Sequence, residues 1–548
     1  MAATRTPTQR PPRLRLWATL AGVATLVVIV LVVVFASGGS SPTPAALPAI
    51  YPNRVGPETM FTAGGVADDT PAVLGGLKAL GVNRIHIYMH WADIAPDPTS
   101  MVKPDFDPTD PGAYPASGWA PYDTAIENMA ARHMGVDLDL VPPPPNWAQG
   151  KGAPHPKTQP EWKPSAAEYG QWVHAVAVRY SGHYTPPGAG KPLPRVSFWS
   201  IWNEPNIGTE LAPEVNPHTQ VENAPRLYRG MLNAAWSAFH ATGHGNDTIL
   251  IGEAAPEGGT FKGAPGLFGA MTPLRFLDAL YCVNSGGQPL RGTPAVQRGC
   301  PATASASARF GAQNPALFKA SGFAVHPYLF YSLPPTEPVP NQPEDFDLAT
   351  MPAFESTLDR LQRTYGSDVK LPIWSTEFGY ITNPPNTQYT VTPAKAAYYL
   401  NWAEYLTWED PRIKSYDQYL LGDPPGDAGF ATGLFTSSGA AKPGYYAFRM
   451  PLYLPVMTTT TGHPLDVWGD VRPAPNAARA SHHPQVVQIQ YSSGGDSAFR
   501  TVQRVPITDR HGYFEVRNTF PGSGQVRLAW VPPSGPTEYS RTVDITLR

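Results

Sequence analysis

From residue 51 onward, short apolar runs alternate with stretches whose apolar residues recur at helical spacing. That is the pattern of βα units, in which a parallel sheet is covered on both faces. The runs predict strands near Val55 to Phe61, Arg84 to Met89, Gly135 to Val141, Arg195 to Trp202, Thr248 to Gly252, Gly322 to Val325, Lys370 to Thr376 and Ile413 to Leu420. Between them lie helix signals. Asp69-Thr70 before Pro71 opens one helix and Gly81 closes it, while Ser165-Ala166-Ala167-Glu168 reads as a capping box ahead of Tyr169, Trp172, Val173 and Val176. Thr392-Pro393 opens another, carrying Tyr398, Tyr399, Trp402 and Tyr405, and the aromatics of both runs are expected in the core.

Eight βα units predict a (β/α)₈ barrel with enlarged loops over residues 51–465. A doubly wound sheet is disfavoured because the first βα turn, Thr62-Ala63-Gly64-Gly65, has neither a dinucleotide fingerprint nor a phosphate loop. After about Leu465 the period becomes two. Val486 to Gln490, Tyr513 to Val516 and Gln525 to Leu528 alternate between turn residues, which predicts a C-terminal β-sandwich over residues 466–548. Its Tyr491, Tyr513, Phe514 and Trp530 lie within alternating strands, so bracing of the barrel is favoured over glycan binding.

The N-terminus adds a second expectation. Arg5, Arg10, Arg13 and Arg15 make residues 1–15 a basic cytoplasmic segment, and the uncharged run 16–36 is long enough to cross a bilayer as a signal anchor. Cleavage after Ala36 is the alternative and would give a secreted protein. Residues 37–50 read as a linker lifting the folded part off the outer face of the membrane. In that oxidising compartment Cys282 and Cys300, the only two cysteines, are expected to pair.

Hydrophobic residues make up 42% and charged ones 15%, with 65 Pro and 50 Gly, so a sizeable core with long loops is expected. A net charge of -3 gives no footprint for nucleic acid and suits a neutral substrate. No cofactor motif is present, and no metal site is expected.

Barrel chemistry takes place where strands end. The fourth run ends in Asn203-Glu204-Pro205-Asn206 and the seventh in Glu377-Phe378-Gly379-Tyr380. Acetal hydrolysis needs one carboxylic acid for the departing oxygen and one carboxylate to attack or stabilise the oxocarbenium-like carbon, and these two glutamates match. Trp202-Asn203-Glu204-Pro205 and the strand-seven glutamate resemble the glycoside hydrolases of clan A, and the overall pattern is most similar to family 39 and its bacterial exopolysaccharide-cleaving relatives. The resemblance implies a retaining mechanism with Glu204 as acid/base and Glu377 as nucleophile. It also implies that Asn203 meets the sugar 2-hydroxyl and that Tyr328, in Gly322 to Tyr328, bonds the nucleophile.

One position departs from the clan. Where an arginine often supports the nucleophile from strand two, this chain has His86, with Arg84 on the same face; either the register is shifted or His86 replaces the arginine. The chemistry requires Glu204 protonated and Glu377 charged, so the environment should raise the first pKa and lower the second. His326 is expected to be a hydrogen bonder without a metal role, and Glu253 a support or subsite residue. Asp137 and Asp139 either face the barrel interior or form structural salt links.

Trp91, Trp147, Tyr328, Tyr380 and Tyr419 are candidate sugar platforms, one or two of which are expected to be packing residues, and Gln418 and Asp423 are candidate partners for sugar hydroxyls. The substrate implied is a cell-envelope or extracellular polysaccharide, cleaved internally because long loops favour a cleft. An envelope transglycosylase using the same residues, or a non-catalytic carbohydrate-binding protein, are the alternatives.

Overall fold

The computed structural model describes residues 54–258, 266–426, 429–495 and 497–548. The predicted anchor and linker lie outside these residues, and no helix among the described residues is long and apolar enough to cross a membrane.

The eight predicted runs form one parallel sheet: β1 (Glu58–Thr62), β2 (Arg84–His90), β3 (Gly135–Val141), β4 (Phe198–Ile201), β5 (Thr248–Ala254), β6 (Gly322–Val325), β7 (Ile373–Ser375) and β8 (Ser415–Tyr419). The order is β7-β6-β5-β4-β3-β2-β1-β8. Its two ends meet where Ile373 N donates to Arg412 O (3.0 Å) and Lys414 N to Ile373 O (2.8 Å), which closes the barrel. Predicted helix starts hold as well. Thr70, Ser165 and Thr392 each accept a backbone N–H three residues on, an arrangement that stabilises a helix by about 1 kcal/mol.

Period-two alternation sorts the strand residues. In β2, Ile85, Ile87 and Met89 join the apolar layer beneath the helices, leaving Arg84, His86, Tyr88 and His90 for the lumen. Asp137 and Asp139 of β3 face the lumen in the same way, with Leu138 and Leu140 outside. The lumen is therefore layered. Phe198, Leu250, Ala324 and Trp374 form an apolar floor, over which Arg84, paired with Glu58 at 3.2 Å, stacks on Phe198. Above lies a buried polar layer of Thr62, His86, Asp137, Asp139, Ser200 and Asp417. The carboxylates at the strand ends cap it.

The C-terminal strands are β9 (Leu452–Tyr453), β10 (Thr458–Thr459), β11 (Leu465–Asp470), β12 (Gln485–Ser492), β13 (Arg500–Ile507), β14 (Tyr513–Asn518), β15 (Gly524–Trp530), β16 (Glu538–Tyr539) and β17 (Val543–Leu547). They make a three-stranded sheet, β14-β11-β9, and a six-stranded one in which β10-β17-β15-β12-β13 carries β16 on β15. Both sheets contribute to one apolar cluster, Leu452, Val467 and Val516 from the first and Val487, Ile489, Leu528 and Ile545 from the second. The sheets take up the chain from Leu452, ahead of the boundary at 466, because β9 pairs with β11. Tyr491, Tyr513, Phe514 and Trp530 are all buried.

Barrel and sheets belong to one compact unit. Arg472, fully buried, joins them: it pairs with Glu404 (2.7 Å) and Asp470 (3.3 Å), donates to Phe448 O (2.9 Å), and hydrogen-bonds Thr59 of β1. Tyr513 donates to the same Glu404 at 2.9 Å. The predicted helix end Gly81 fits against this joint. Its φ is +91°, and a Cβ there would lie 2.0 Å from the Arg472 carbonyl oxygen, so glycine is required twice over. Cys282 and Cys300 are disulfide-bonded, as expected.

Candidate active site

Glu204 and Glu377 lie at the ends of β4 and β7 and converge on the ring of His326, just past β6. His326 Nδ1 is hydrogen-bonded to Glu204 Oε1 at 2.9 Å and Nε2 to Glu253 Oε2 at 3.0 Å, with Glu377 Oε1 3.6 Å from Nε2. Glu204 keeps 21% of its side chain exposed and Glu377 8%, so the pair borders solvent whereas His326 and Glu253 do not.

The backbone is bent to present these groups. Trp202 (φ +67°), Glu204 (φ +39°) and Glu253 (φ +45°) all occupy the left-handed region, where each non-glycine residue costs about 1–3 kcal/mol. Glu204 N donates to Glu253 O at 2.9 Å, which ties the two bent strand ends together.

Two tyrosines hold Glu377. Tyr328 donates to Oε2 at 2.8 Å, the contact the resemblance implies, and Tyr88 hydrogen-bonds Oε1. The open question at strand two is thus answered by neither candidate. His86 does not touch Glu377: its Nδ1 meets Thr62 Oγ1 at 3.2 Å and its Nε2 lies 3.7 Å from Asp139, one layer deeper. Arg84 is deeper still, on the floor. Strand β2 continues to His90, so Tyr88, two residues beyond His86 on the same face, reaches the mouth.

Burial disfavours charge on the His326 ring, but the charge of Glu377 and the hydrogen bonds to Glu204 and Glu253 outweigh it and hold its pKa well above the ordinary histidine value. His86 is likewise pushed up to about 10, burial being overcome by Asp139, Asp137 and Glu253. Burial pushes Asp137 up to about 8 and Asp139 up to about 7. The expectation of a lowered pKa for Glu377 is corrected. Burial raises it, and Glu204 adds to the rise, against the opposing pull of His326 and Tyr88.

Two groups, Glu204–His326–Glu377 and His86–Asp139–Glu253, each bring ligand-type atoms within 4.8 Å of one another. Sequence spacing concealed these partners of His326. Both ring nitrogens of His326 already face carboxylates directly, so the ring occupies the place an ion would take between Glu204 and Glu377.

Several platform candidates are corrected. Trp91 is fully buried and stacks on Trp172 at 5.5 Å, because the short helix Trp91–Ile94 turns its ring back under the barrel wall. Trp147 packs edge-on against Trp91 and Phe106, its Nε1 donating to Pro96 O at 3.0 Å. Tyr380 is buried against Phe378 and Tyr399 and donates to Leu333 O. Gln418 is also buried, and its Nε2 donates to Tyr419 O (3.0 Å) and Thr432 O (2.9 Å), which holds the loop after β8. Asp423 is ion-paired with Lys442 at 2.8 Å.

The aromatic wall beside Glu377 is made of Tyr328, Tyr419, Phe330 and Phe430, the last two unmarked in the sequence. Phe430 is 37% exposed at its edge. On the side of Glu204, the Asn203 side chain bonds Glu210, whose pKa burial and the charge of Glu204 push up to about 8.

No family model matches the chain, and no curated protein matches it by sequence. Among solved structures it is similar to a glucosidase from Croceicoccus marinus, at 14% identity and TM-score 0.45, over 89% of this chain and 96% of the other. A family 1 β-glucosidase from Thermotoga maritima is similar at 13% identity and TM-score 0.41, over 68% and 84%. A β-glucuronidase from Bacteroides uniformis is similar at 10% identity and TM-score 0.37, over 91% and 46%. Likeness this low carries no argument about activity; the barrel rests on its own strand pairing and the site on its own geometry.

Proposed function

We propose that the chain is a retaining glycoside hydrolase, with Glu377 as nucleophile and Glu204 as acid/base. One observation carries the retaining stereochemistry. A carboxylate oxygen of Glu204 and one of Glu377 lie within 4.8 Å of each other. Retaining enzymes hold their carboxyl groups about 5–5.5 Å apart, whereas inverting ones need about 6.5–9.5 Å to admit a water between sugar and base.

In the first step Glu377 attacks the anomeric carbon while protonated Glu204 gives its proton to the departing oxygen. Tyr88 and Tyr328 fix the attacking carboxylate from both oxygens. The glycosyl ester cancels the negative charge on Glu377. Glu204, now a carboxylate facing the His326 imidazolium, takes a proton from water as that water displaces Glu377.

The wall of Tyr419, Phe330 and Phe430 offers a flat apolar surface for a sugar ring, and Asn203 is the partner proposed for the 2-hydroxyl. Among the described residues, the side chain ion-paired with these carboxylates is a histidine, and the net charge of -3 suits a neutral sugar. The run 16–36, read as an anchor, and the tether 37–50 favour a cell-envelope or extracellular polysaccharide near the membrane, and the long loops at the barrel mouth favour its internal cleavage.

The full chain, incubated with a panel of envelope polysaccharides and followed by mass spectrometry, is expected to release oligosaccharides, and Glu204→Gln and Glu377→Ala to release none. Release undiminished in both variants would sink the proposal. Products longer than the substrate would instead mark a sugar acceptor and a transglycosylase.

A further inference from the structure

Glu253 takes no part in the double displacement, yet it is fully buried, held at a left-handed φ, and tied to the acid/base strand by its backbone. Its Oε2 accepts from His326 Nε2 at 3.0 Å and from the Thr376 hydroxyl. Thr376 immediately precedes Glu377 just past β7, and the other ring nitrogen of His326 reaches Glu204 at 2.9 Å. The arrangement is a chain running Glu253, His326, Glu204, with Glu377 3.6 Å to the side. Four neighbouring strand ends are pinned around it by three bonds, Glu204 N to Glu253 O (2.9 Å), His326 N to Ala254 O (3.1 Å) and Thr376 N to Val325 O (3.2 Å).

We propose that Glu253 is a positioning residue for the reaction: it anchors His326 and keeps the second proton on its ring, so that a single imidazolium serves both Glu204 and Glu377. This rests on the glycosidase reading of the site. A neutral imidazole would carry one N–H; with Nε2–H held by Glu253, Nδ1 would turn a bare lone pair to Glu204 once Glu204 has given up its proton. A ring kept charged by the ionised Glu253 presents Nδ1–H to that carboxylate instead. His326 neither gains nor loses a proton in the cycle. Glu204 gives its own proton to the leaving oxygen, stands as a carboxylate against Nδ1–H, and recovers a proton from the attacking water.

Other charged groups share this field. Asp139 on β3 and Asp417 on β8 face His326 from below, and His86 on β2 acts on Glu253 and Glu377. The floor and helix layers around them are apolar. Of these carboxylates, Glu253 is the one hydrogen-bonded to Nε2 of the ring (3.0 Å), and His326 and His86 hold its pKa below the ordinary range against its burial.

The test is the pH dependence of kcat/KM for the full chain with Glu253→Gln, on phenyl glycosides of neutral hexoses, whose poor leaving group needs the acid. Two effects of the substitution have opposite signs. Removing a negative charge while His326 stays charged would shift both catalytic carboxyls down, whereas loss of the imidazolium would shift both up. The expected result is a bell moved to higher pH by about one unit, with about tenfold loss on its acid flank. A bell that stays in place or moves down overturns the proposal, since His326 would then hold its proton without Glu253.

Nitrogen NMR of histidine-labelled protein, with the signal assigned by His326→Gln, reads the same proton directly and is expected to show an imidazolium through neutral pH. Should Glu253→Gln fail to fold, that titration of the wild-type chain decides, and a ring that turns neutral below about pH 7 overturns the proposal. Glu204→Gln and Glu377→Ala separate the two levels. If they remain active the glycosidase reading itself fails; if they are inactive while the Glu253→Gln bell stays put, only the role of Glu253 fails.

Discussion

Tyr88→Phe removes one hydroxyl and leaves the ring, so it isolates the donor that hydrogen-bonds Glu377 Oε1. A hydrogen bond to a charged group contributes about 1.5–3 kcal/mol, and one pKa unit corresponds to about 1.4 kcal/mol, so losing it entirely would raise the Glu377 pKa by about 1–2 units. Tyr88 keeps partial exposure at the mouth, so water can replace the hydroxyl in part, and Tyr328 still serves Oε2. Both considerations place the shift near about one unit. The sign follows from the group that titrates. Glu377 already lies above its ordinary value of 4.5 through burial, and removing a donor to its charged form moves it further up. The acidic limb of kcat/KM, measured on para-nitrophenyl glycosides, should therefore begin above the ordinary glutamate value in the wild type and move up by about one unit in Tyr88→Phe. The thermal midpoint should scarcely change. An acidic limb unmoved within about 0.3 unit would refute the assignment of Tyr88 as a support of the nucleophile.

Arg472→Met leaves Glu404 and Asp470 buried without their cation and should cost about 3–5 kcal/mol in denaturant unfolding of the barrel; a loss under about 1 kcal/mol would mean the joint does not brace it. Phe430→Ala should raise KM roughly fivefold, for about 1 kcal/mol of ring contact, with kcat little changed, whereas Trp91→Ala should lose about 3–5 kcal/mol of stability as a core cavity. Replacing Cys282 and Cys300 together by serine should lower stability by about 3 kcal/mol, read from urea unfolding, without altering kcat at room temperature.

The strands were legible because each barrel strand sends alternate apolar residues into the layer under the helices and ends at a turn; Ile85, Ile87 and Met89 mark β2 as plainly as Leu138 and Leu140 mark β3. The two glutamates proposed as catalytic were legible by position, at the ends of the fourth and seventh runs. The support of Glu377 was not, because the depth of a lumen residue depends on where its strand stops. A strand taken to end at Met89 centres on His86, but the observed strand reaches His90 and raises Tyr88 to the mouth. Period two from His86 was the signal that could have found it. Aromatic platforms failed for another reason. Trp91 and Tyr380 follow strand ends in sequence, yet their rings are buried in the helix layer, and the partly buried Trp147 packs on Trp91, while Phe330 opens a single 3-10 turn and Phe430 lies in a loop, neither with a period to mark it. The joint made by Arg472 was invisible because, besides the adjacent Asp470, its partners are distant, Glu404 by 68 residues and Thr59 by 413.

In the proposed mechanism Glu377 forms a covalent glycosyl ester, which Glu204 then helps water to cleave. Proton NMR of the first-formed product, taken before mutarotation, reads this outcome, together with azide rescue of Glu377→Ala. Double displacement requires wild-type product of the same anomeric configuration as the substrate, and a rescued glycosyl azide of the opposite one, because azide then attacks from the face that Glu377 vacates. Inverted product from the wild-type protein would contradict it.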